Sequence, residues 1–147
     1  MELNHSFDEF EQLFWHLAKK TEYQWKEIYQ ATFPGSQSVI MYFLEQSGPL
    51  KMSELADMLH LTAGAITTAS NKLIEHGYIS RIRDEKDRRV VRLSITEKGQ
   101  QTMNVLQENG RNMMKSTFGH ASTDDIENMN QIFTQAIEHL HELENKN

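Results

Sequence analysis

The sequence predicts a mainly α-helical chain with a small β-wing in its middle, and three observations lead there. Apolar residues recur at three- and four-residue spacing over most of the chain. Between Tyr78 and Ile95 that period gives way to alternation on either side of a charged tip. Just before it, two short helical patterns are joined by a tight turn, His60-Leu61. Helix, turn, helix and basic hairpin is the order of a winged helix-turn-helix.

The elements follow in sequence. Phe7, Phe10, Leu13, Phe14 and Leu17 predict a long helix from residue 6 to about 31. Thr32-Phe-Pro-Gly-Ser36 breaks it, because proline disfavours helix in the residue before it. Ser36 or Ser38 caps a second helix with Val39, Ile40, Phe43 and Leu44, ended by Ser47-Gly-Pro49. Ser53 is expected to cap a short helix, Glu54 to Leu59. Thr62 caps the next, Ala63 to His76, whose buried stripe is Ile66, Ala69 and Leu73 and whose end is Gly77.

Tyr78 to Arg83 then alternates, and Val91, Leu93 and Ile95 form the return strand. Ile82, Val91 and Leu93 are expected to set the hairpin. Thr96-Glu-Lys-Gly99 opens a helix through Met103, Leu106, Gly110, Met113 and Met114, broken at Gly119-His120. Ser122-Thr-Asp-Asp125 has the form of a capping box. The last helix carries Ile126, Met129, Phe133, Ala136, Leu140 and Leu143, a heptad seam that needs another helix to cover it. The expected organisation is a helical dimerisation region, residues 1–35 and 97–147, around a winged helix-turn-helix lobe, residues 36–96.

Composition bounds the function. There is no cysteine, so disulfides, thiolate metal sites and cysteine redox sensing are excluded. No apolar run reaches bilayer length and Met1 to Glu9 lacks a basic-then-apolar arrangement, so a cytoplasmic protein with no membrane partner is expected. The net charge of −6 argues against nucleic acid until its distribution is considered. Residues 51–99 hold nine Lys and Arg against seven Asp and Glu, while the rest holds six against fourteen. Screening limits the reach of each charge to about 8 Å at physiological salt, so a DNA reader needs only a local positive footprint.

That footprint is Arg81 to Arg92, with Arg81, Arg83, Lys86, Arg88, Arg89 and Arg92 in twelve positions. At the hairpin tip, Arg88 or Arg89 can enter a narrow, electronegative minor groove. Asp87 would be repelled by phosphate; its expected role is to hold a neighbouring arginine. On the second helix of the pair, Gly64, Thr67, Thr68, Asn71 and Glu75 point away from Ile66. Asn can pair with adenine, Thr can meet a thymine methyl, and Gly64 permits close backbone approach. Thr62, Ala63 and Lys72 complete the expected DNA-facing set, which lacks a guanine-reading arginine on the helix itself. A polar helix face and a charged hairpin tip are also what ordinary solvation produces; the position of the wing after the helix pair favours DNA.

Ser53-Glu-Leu-Ala, the helix Thr62–Leu73, Gly77-Tyr-Ile, Asp87-Arg-Arg and Leu93-Ser-Ile-Thr-Glu-Lys-Gly99 together resemble the MarR family of bacterial transcriptional regulators. The resemblance runs over the whole chain. It implies a homodimer with interlocked terminal helices and two winged lobes on a palindromic operator. Such proteins usually repress and are often released by small amphipathic or phenolic ligands. Arg89 matches the family's wing arginine and Asp87 its partner. Ala63, Gly64 and Ala65 are smaller than the family's usual residues there, which bears on the operator sequence and not on the fold.

The resemblance places a ligand pocket between the dimer layer and the DNA lobe, with Trp15, His16, Met41 and Tyr42 as candidate lining residues; core or interface packing is the alternative for all four. No metal site or cofactor is expected, since His139 and His141 face nearly opposite ways on a helix and His120 is isolated. No nucleophile motif or phosphate loop supports an enzyme. The sequence therefore predicts a dimeric DNA-binding repressor with a small-molecule effector. The competing class is a winged-helix protein-interaction module without specific DNA readout.

Overall fold

A computed structural model describes residues 2–146, with side chains from His5 onward. Six helices and one hairpin follow in the order α1 (Glu2–Gln30), α2 (Gln37–Ser47), α3 (Met52–Leu59), α4 (Ala63–Glu75), β1 (Ile79–Arg83), β2 (Val91–Ile95), α5 (Glu97–Phe118) and α6 (Thr123–Glu144). They form two compact units, one reaching to Arg111 and one starting at Asn112. None of the helices described is long and apolar enough to cross a membrane.

The core of the first unit is built from Phe33, Ile40, Met41, Leu44, Leu55, Ile66, Leu73, Ile79, Leu93, Met103 and Leu106. Burying each such side chain contributes about 1.5–3 kcal/mol. Phe33 lies in the α1–α2 connection, where the sequence predicts only a chain break. It is fully buried and meets the Tyr78 ring edge-on at 4.9 Å between centroids. The turn beside it is held by the Gln30 side chain, whose Oε1 accepts from Gly35 N–H at 2.6 Å.

The helix pair forms for local reasons. α3 begins two residues earlier than expected, and Ser53 is exposed within its first turn. The Glu54 carboxylate does the capping instead, accepting from Lys51 N–H at 2.7 Å. His60, in the left-handed region at φ 52°, turns the chain. Thr62 Oγ1 then accepts from Ala65 N–H at 3.1 Å and starts α4 as expected. Ile66, Ala69, Ser70 and Leu73 form its buried stripe.

Gly77, at φ 77°, reverses the chain into the wing. β1 and β2 are antiparallel, with Ile79 opposite Ile95, Arg81 opposite Leu93 and Arg83 opposite Val91. Leu50 exchanges two backbone hydrogen bonds with Leu93 and so adds a one-residue third strand. This register corrects the expected role of Ile82. Ile79 and Leu93 face the core, so parity puts Ile82 on the opposite face, opposite Arg92 and exposed.

The segment from Leu93 to Gly99 is one joint. Thr96 Oγ1 donates to Gly77 O at 2.6 Å and accepts from Gly99 N–H at 3.1 Å, capping α5 while fastening it to the α4–β1 turn. Gly99 packs so tightly on the Tyr78 carbonyl that a Cβ there would collide with it.

In the second unit, Ser122 and Asp125 form the expected reciprocal capping box at the start of α6. No residue described in α6 is buried. Phe133, Leu140 and Leu143 of the seam are exposed, and so are Ile132 and Ile137 beside it. The apolar face is thus wider than a two-helix seam.

Candidate nucleic-acid interface and adjoining cavity

Gly64, Thr67, Thr68, Asn71 and Glu75 of α4 are exposed, as the position of Ile66 predicts, and so are Thr62, Ala63 and Lys72. Open space surrounds Gly64, which leaves its backbone approachable. The two threonines are less versatile than their sequence suggests. Thr67 Oγ1 donates to Ala63 O at 2.9 Å, and Thr68 Oγ1 donates to Gly64 O at 3.0 Å. With both hydroxyl protons committed, each can offer an outside partner only oxygen lone pairs and a methyl group.

The wing is braced from within. Arg83 Nη1 donates to Arg88 O at 2.8 Å, and Asp84 N–H donates to Val90 O at 2.9 Å across the tip. Asp87 grips Arg89 three times. Its Oδ1 accepts from the Arg89 backbone N–H and from Nε, and its Oδ2 accepts from Nη2, all at 3.1 Å. The guanidinium lowers the Asp87 carboxyl below the usual carboxylate range, and the carboxylate raises Arg89 in turn. Even so held, the Arg89 side chain is 91% exposed. A surface pair of this kind adds little stability; it sets direction. Arg88 is exposed beside it.

Arg92 does not belong with these. Sequence proximity groups it with the cationic finger, but its Nη1 lies 3.4 Å from Glu54 and its Nη2 3.9 Å from Asp84. It ties the wing to α3. Arg81 is different again: it reaches back to α4, where Nη2 donates to Asn71 Oδ1 at 2.8 Å. The expected DNA-facing residues therefore fall on two neighbouring surfaces, α4 and the wing tip, joined by one side-chain hydrogen bond.

The four ligand candidates are not brought together. Met41 is fully buried in the core, while Trp15 and His16 are exposed on α1. Tyr42 alone lines a cavity, of about 410 Å³, together with Trp25, Lys26, Tyr29, Gln30, Ser38, Val39 and Gln107. Trp25 and Tyr29 stack at 5.7 Å on one wall. Their i, i+4 spacing on α1 is the signal of this pair in the sequence. Gln107 Nε2 donates to both oxygens of Glu45, at 2.9 and 2.7 Å, and Gln100 Nε2 donates to Oε1 at 2.8 Å. Burial first, and the Glu45 carboxylate second, push the Tyr29 phenol above its ordinary value. Its hydroxyl is therefore a neutral donor at physiological pH.

Comparison with known proteins identifies this arrangement. The MarR family model matches residues 35–91, from just before α2 to the first residue of β2. An uncharacterised HTH-type transcriptional regulator of Bacillus subtilis, YpoP, is 34% identical over 82 residues, 56% of this chain. The chain spans only 58% of that relative's length. The crystal structure of YusO from Bacillus subtilis superposes with a TM-score of 0.78 at 20% identity, covering 92% of this chain and 96% of that one. FabT of Streptococcus pneumoniae, crystallised in complex with DNA, superposes at 0.65 with 23% identity, covering 94% of this chain and 99% of FabT. At these identities the two structures speak for the fold.

Proposed function

We propose that this chain, whose residues 35–91 match the MarR family model, is a DNA-binding transcriptional regulator, acting as a homodimer on a palindromic operator. The observation that carries the reading is the wing tip. Arg89 is fixed by Asp87 and almost wholly exposed, on a hairpin joined to the polar face of α4. A preset guanidinium costs little entropy to place, and a narrow minor groove supplies the negative potential it needs. α4 supplies the major-groove element, with methyls from Thr67 and Thr68 and the amide of Asn71. The FabT complex shows that a related fold engages DNA.

Dimerisation accounts for the uncovered apolar surfaces. Phe7, Phe10, Leu13, Phe14 and Leu17 along α1 are all exposed, as are Ile132, Phe133, Ile137 and Leu140 on α6. Monomers rarely leave such patches open. We assign the terminal helices, residues 1–35 and 97–147, to the dimer layer and residues 36–96 to the DNA lobe. The cavity floored by Trp25, Tyr29 and Tyr42 is the effector site in this reading. Its aromatic walls, with the phenols of Tyr29 and Tyr42 and the amides of Gln30 and Gln107, suit an amphipathic or phenolic compound, and binding there releases the repressor. A regulator of this kind works in the cytoplasm, where its DNA is.

Selection from a randomised duplex pool tests the proposal. The parent protein should enrich an inverted repeat whose half-sites lie about one helical turn apart, the spacing two recognition helices of a dimer impose. Enrichment of no sequence, or of an asymmetric one, would count against it.

A further inference from the structure

Among the described residues, one side-chain hydrogen bond joins the two DNA-facing surfaces, between Asn71 on α4 and Arg81 on β1. Strand parity creates the contact. Ile79 is buried against the core, so Arg81, two residues on, lies on the same face of the hairpin where the core has ended. There its guanidinium meets the third turn of α4 and donates from Nη2 to Asn71 Oδ1 at 2.8 Å.

An Asn amide has two orientations related by a flip, one placing oxygen outward and the other nitrogen. Arginine carries donors only, so the amide atom facing it must be the oxygen. The flip is settled by chemistry: Oδ1 turns toward Arg81, and the two N–H groups of Nδ2 are left for an outside partner. Thr67 and Thr68, the other polar side chains in the middle of this face, have spent their protons on Ala63 O and Gly64 O. Asn71 is thus the one side chain in the middle of this face with directed donors to offer.

Resting on the DNA-binding reading above, we infer that Arg81 is a specificity-positioning residue: it holds Asn71 so that Nδ2 donates to a major-groove acceptor, a purine N7 or O6 or a thymine O4. Arg81 acts through Asn71 rather than as a phosphate contact. A base edge that presents a donor instead, as cytosine N4 does, would face Nδ2 with two donors apposed and neither satisfied. Arg81 also ties the wing to the recognition helix, so the base reader and the wing arrive as one body.

The test uses the duplex that the parent protein recovers from a randomised pool, together with versions changed at the base pair that Asn71→Ala identifies. Asn71→Ala should erase a preference of roughly 5- to 150-fold at that pair. Arg81→Lys keeps the positive charge but replaces the planar donor with a shorter point donor. It should lose most of the same preference while the salt dependence stays as in the parent. In combination with Asn71→Ala it should cost no further preference, because the second change then has nothing to orient. Asn71→Asp keeps an oxygen for Arg81 and removes the outward donors, so the parent's preferred base should become disfavoured.

If Arg81→Lys binds every variant duplex as the parent does, Arg81 is a phosphate contact and the inference fails. Losses that add in the double variant overturn it equally. A parent protein that recovers no duplex would fail the DNA-binding reading itself, which the selection step shows before any variant is made.

Discussion

Asp87 holds Arg89 by three hydrogen bonds of 3.1 Å while the Arg89 side chain stays 91% exposed. A carboxylate two residues before a guanidinium therefore orients it without hiding it.

Asp87→Ala should leave the cation in place and release its orientation. Affinity for the selected operator should fall by less than in Arg89→Ala, and the salt slope should stay unchanged. The pair also sets a pH window. Because Arg89 lowers the Asp87 carboxyl, the pair is intact above the ordinary carboxylate range and is lost as pH falls through that lowered value. NMR titration of the Asp87 carboxyl should show a midpoint below that of an exposed aspartate, and Arg89→Ala should move it up. Equal midpoints would show that the pair does not persist in solution.

Gly99 is the sharpest packing constraint in the first unit, because a Cβ there would strike the Tyr78 carbonyl and the Ile95 side chain. Gly99→Ala should destabilise the fold by about 1–3 kcal/mol, the scale of overpacking, as read by urea unfolding. DNA affinity should drop as well, since the joint it loosens carries the wing. A neutral effect on stability would mean that α5 can slide away from β1.

Gly110 lies against the indole of Trp25, closely enough that a methyl group would displace the ring. Gly110→Ala should therefore move Trp25 in the cavity and change its fluorescence. In the parent, a phenolic or similar amphipathic compound should weaken DNA binding by about 1–3 kcal/mol, the usual scale of coupling, and DNA should weaken the compound equally. Gly110→Ala should bind the compound less well yet still bind DNA. A broad compound series that leaves DNA affinity untouched would remove the effector.

Tyr29 gives a second pH expectation. Its phenol is raised by burial and by Glu45, so the neutral form is favoured in the folded protein. As pH climbs past the ordinary phenol value, the unfolded chain ionises there first and this contribution to stability is lost. Ultraviolet titration should show one late-ionising tyrosine, absent in Tyr29→Phe and shifted back toward the ordinary value in Glu45→Gln. Four tyrosines titrating together would contradict the placement.

The apolar faces of α1 and α6 predict a dimer at micromolar concentration, seen by light scattering. Removal of residues 122–147 should give an aggregating or DNA-inactive protein. A well-behaved monomer from the intact chain would refute the dimer.

Much of the fold was legible because its signals are local. Thr62 before an apolar stripe, Gly77 after it, and Ser122 with Asp125 are each decided within a few residues. The side of Ile82 is not legible in the sequence, because the parity of a strand is known only once one member is placed, and the buried Ile79 places it. Arg92 reads as part of a basic cluster, and only tertiary structure brings it to Glu54, thirty-eight residues away. The cavity was the least legible part. Gln107 and Tyr42 meet there from helices far apart in sequence, and Met41, beside Tyr42, turns the other way into the core.

The most direct test of the central claim is the salt dependence of duplex binding for the parent and for Arg89→Ala. The parent's affinity should fall linearly on a log–log plot as salt rises. Arg89→Ala should keep its fold and dimer, bind all duplexes more weakly, and show a slope smaller by about one. Its loss should be greatest on sites with an A·T tract beneath the wing, where the groove is narrow and most negative. If Arg89→Ala binds operator and random duplex as the parent does, with the same slope, the wing does not read DNA and the protein-interaction reading takes its place.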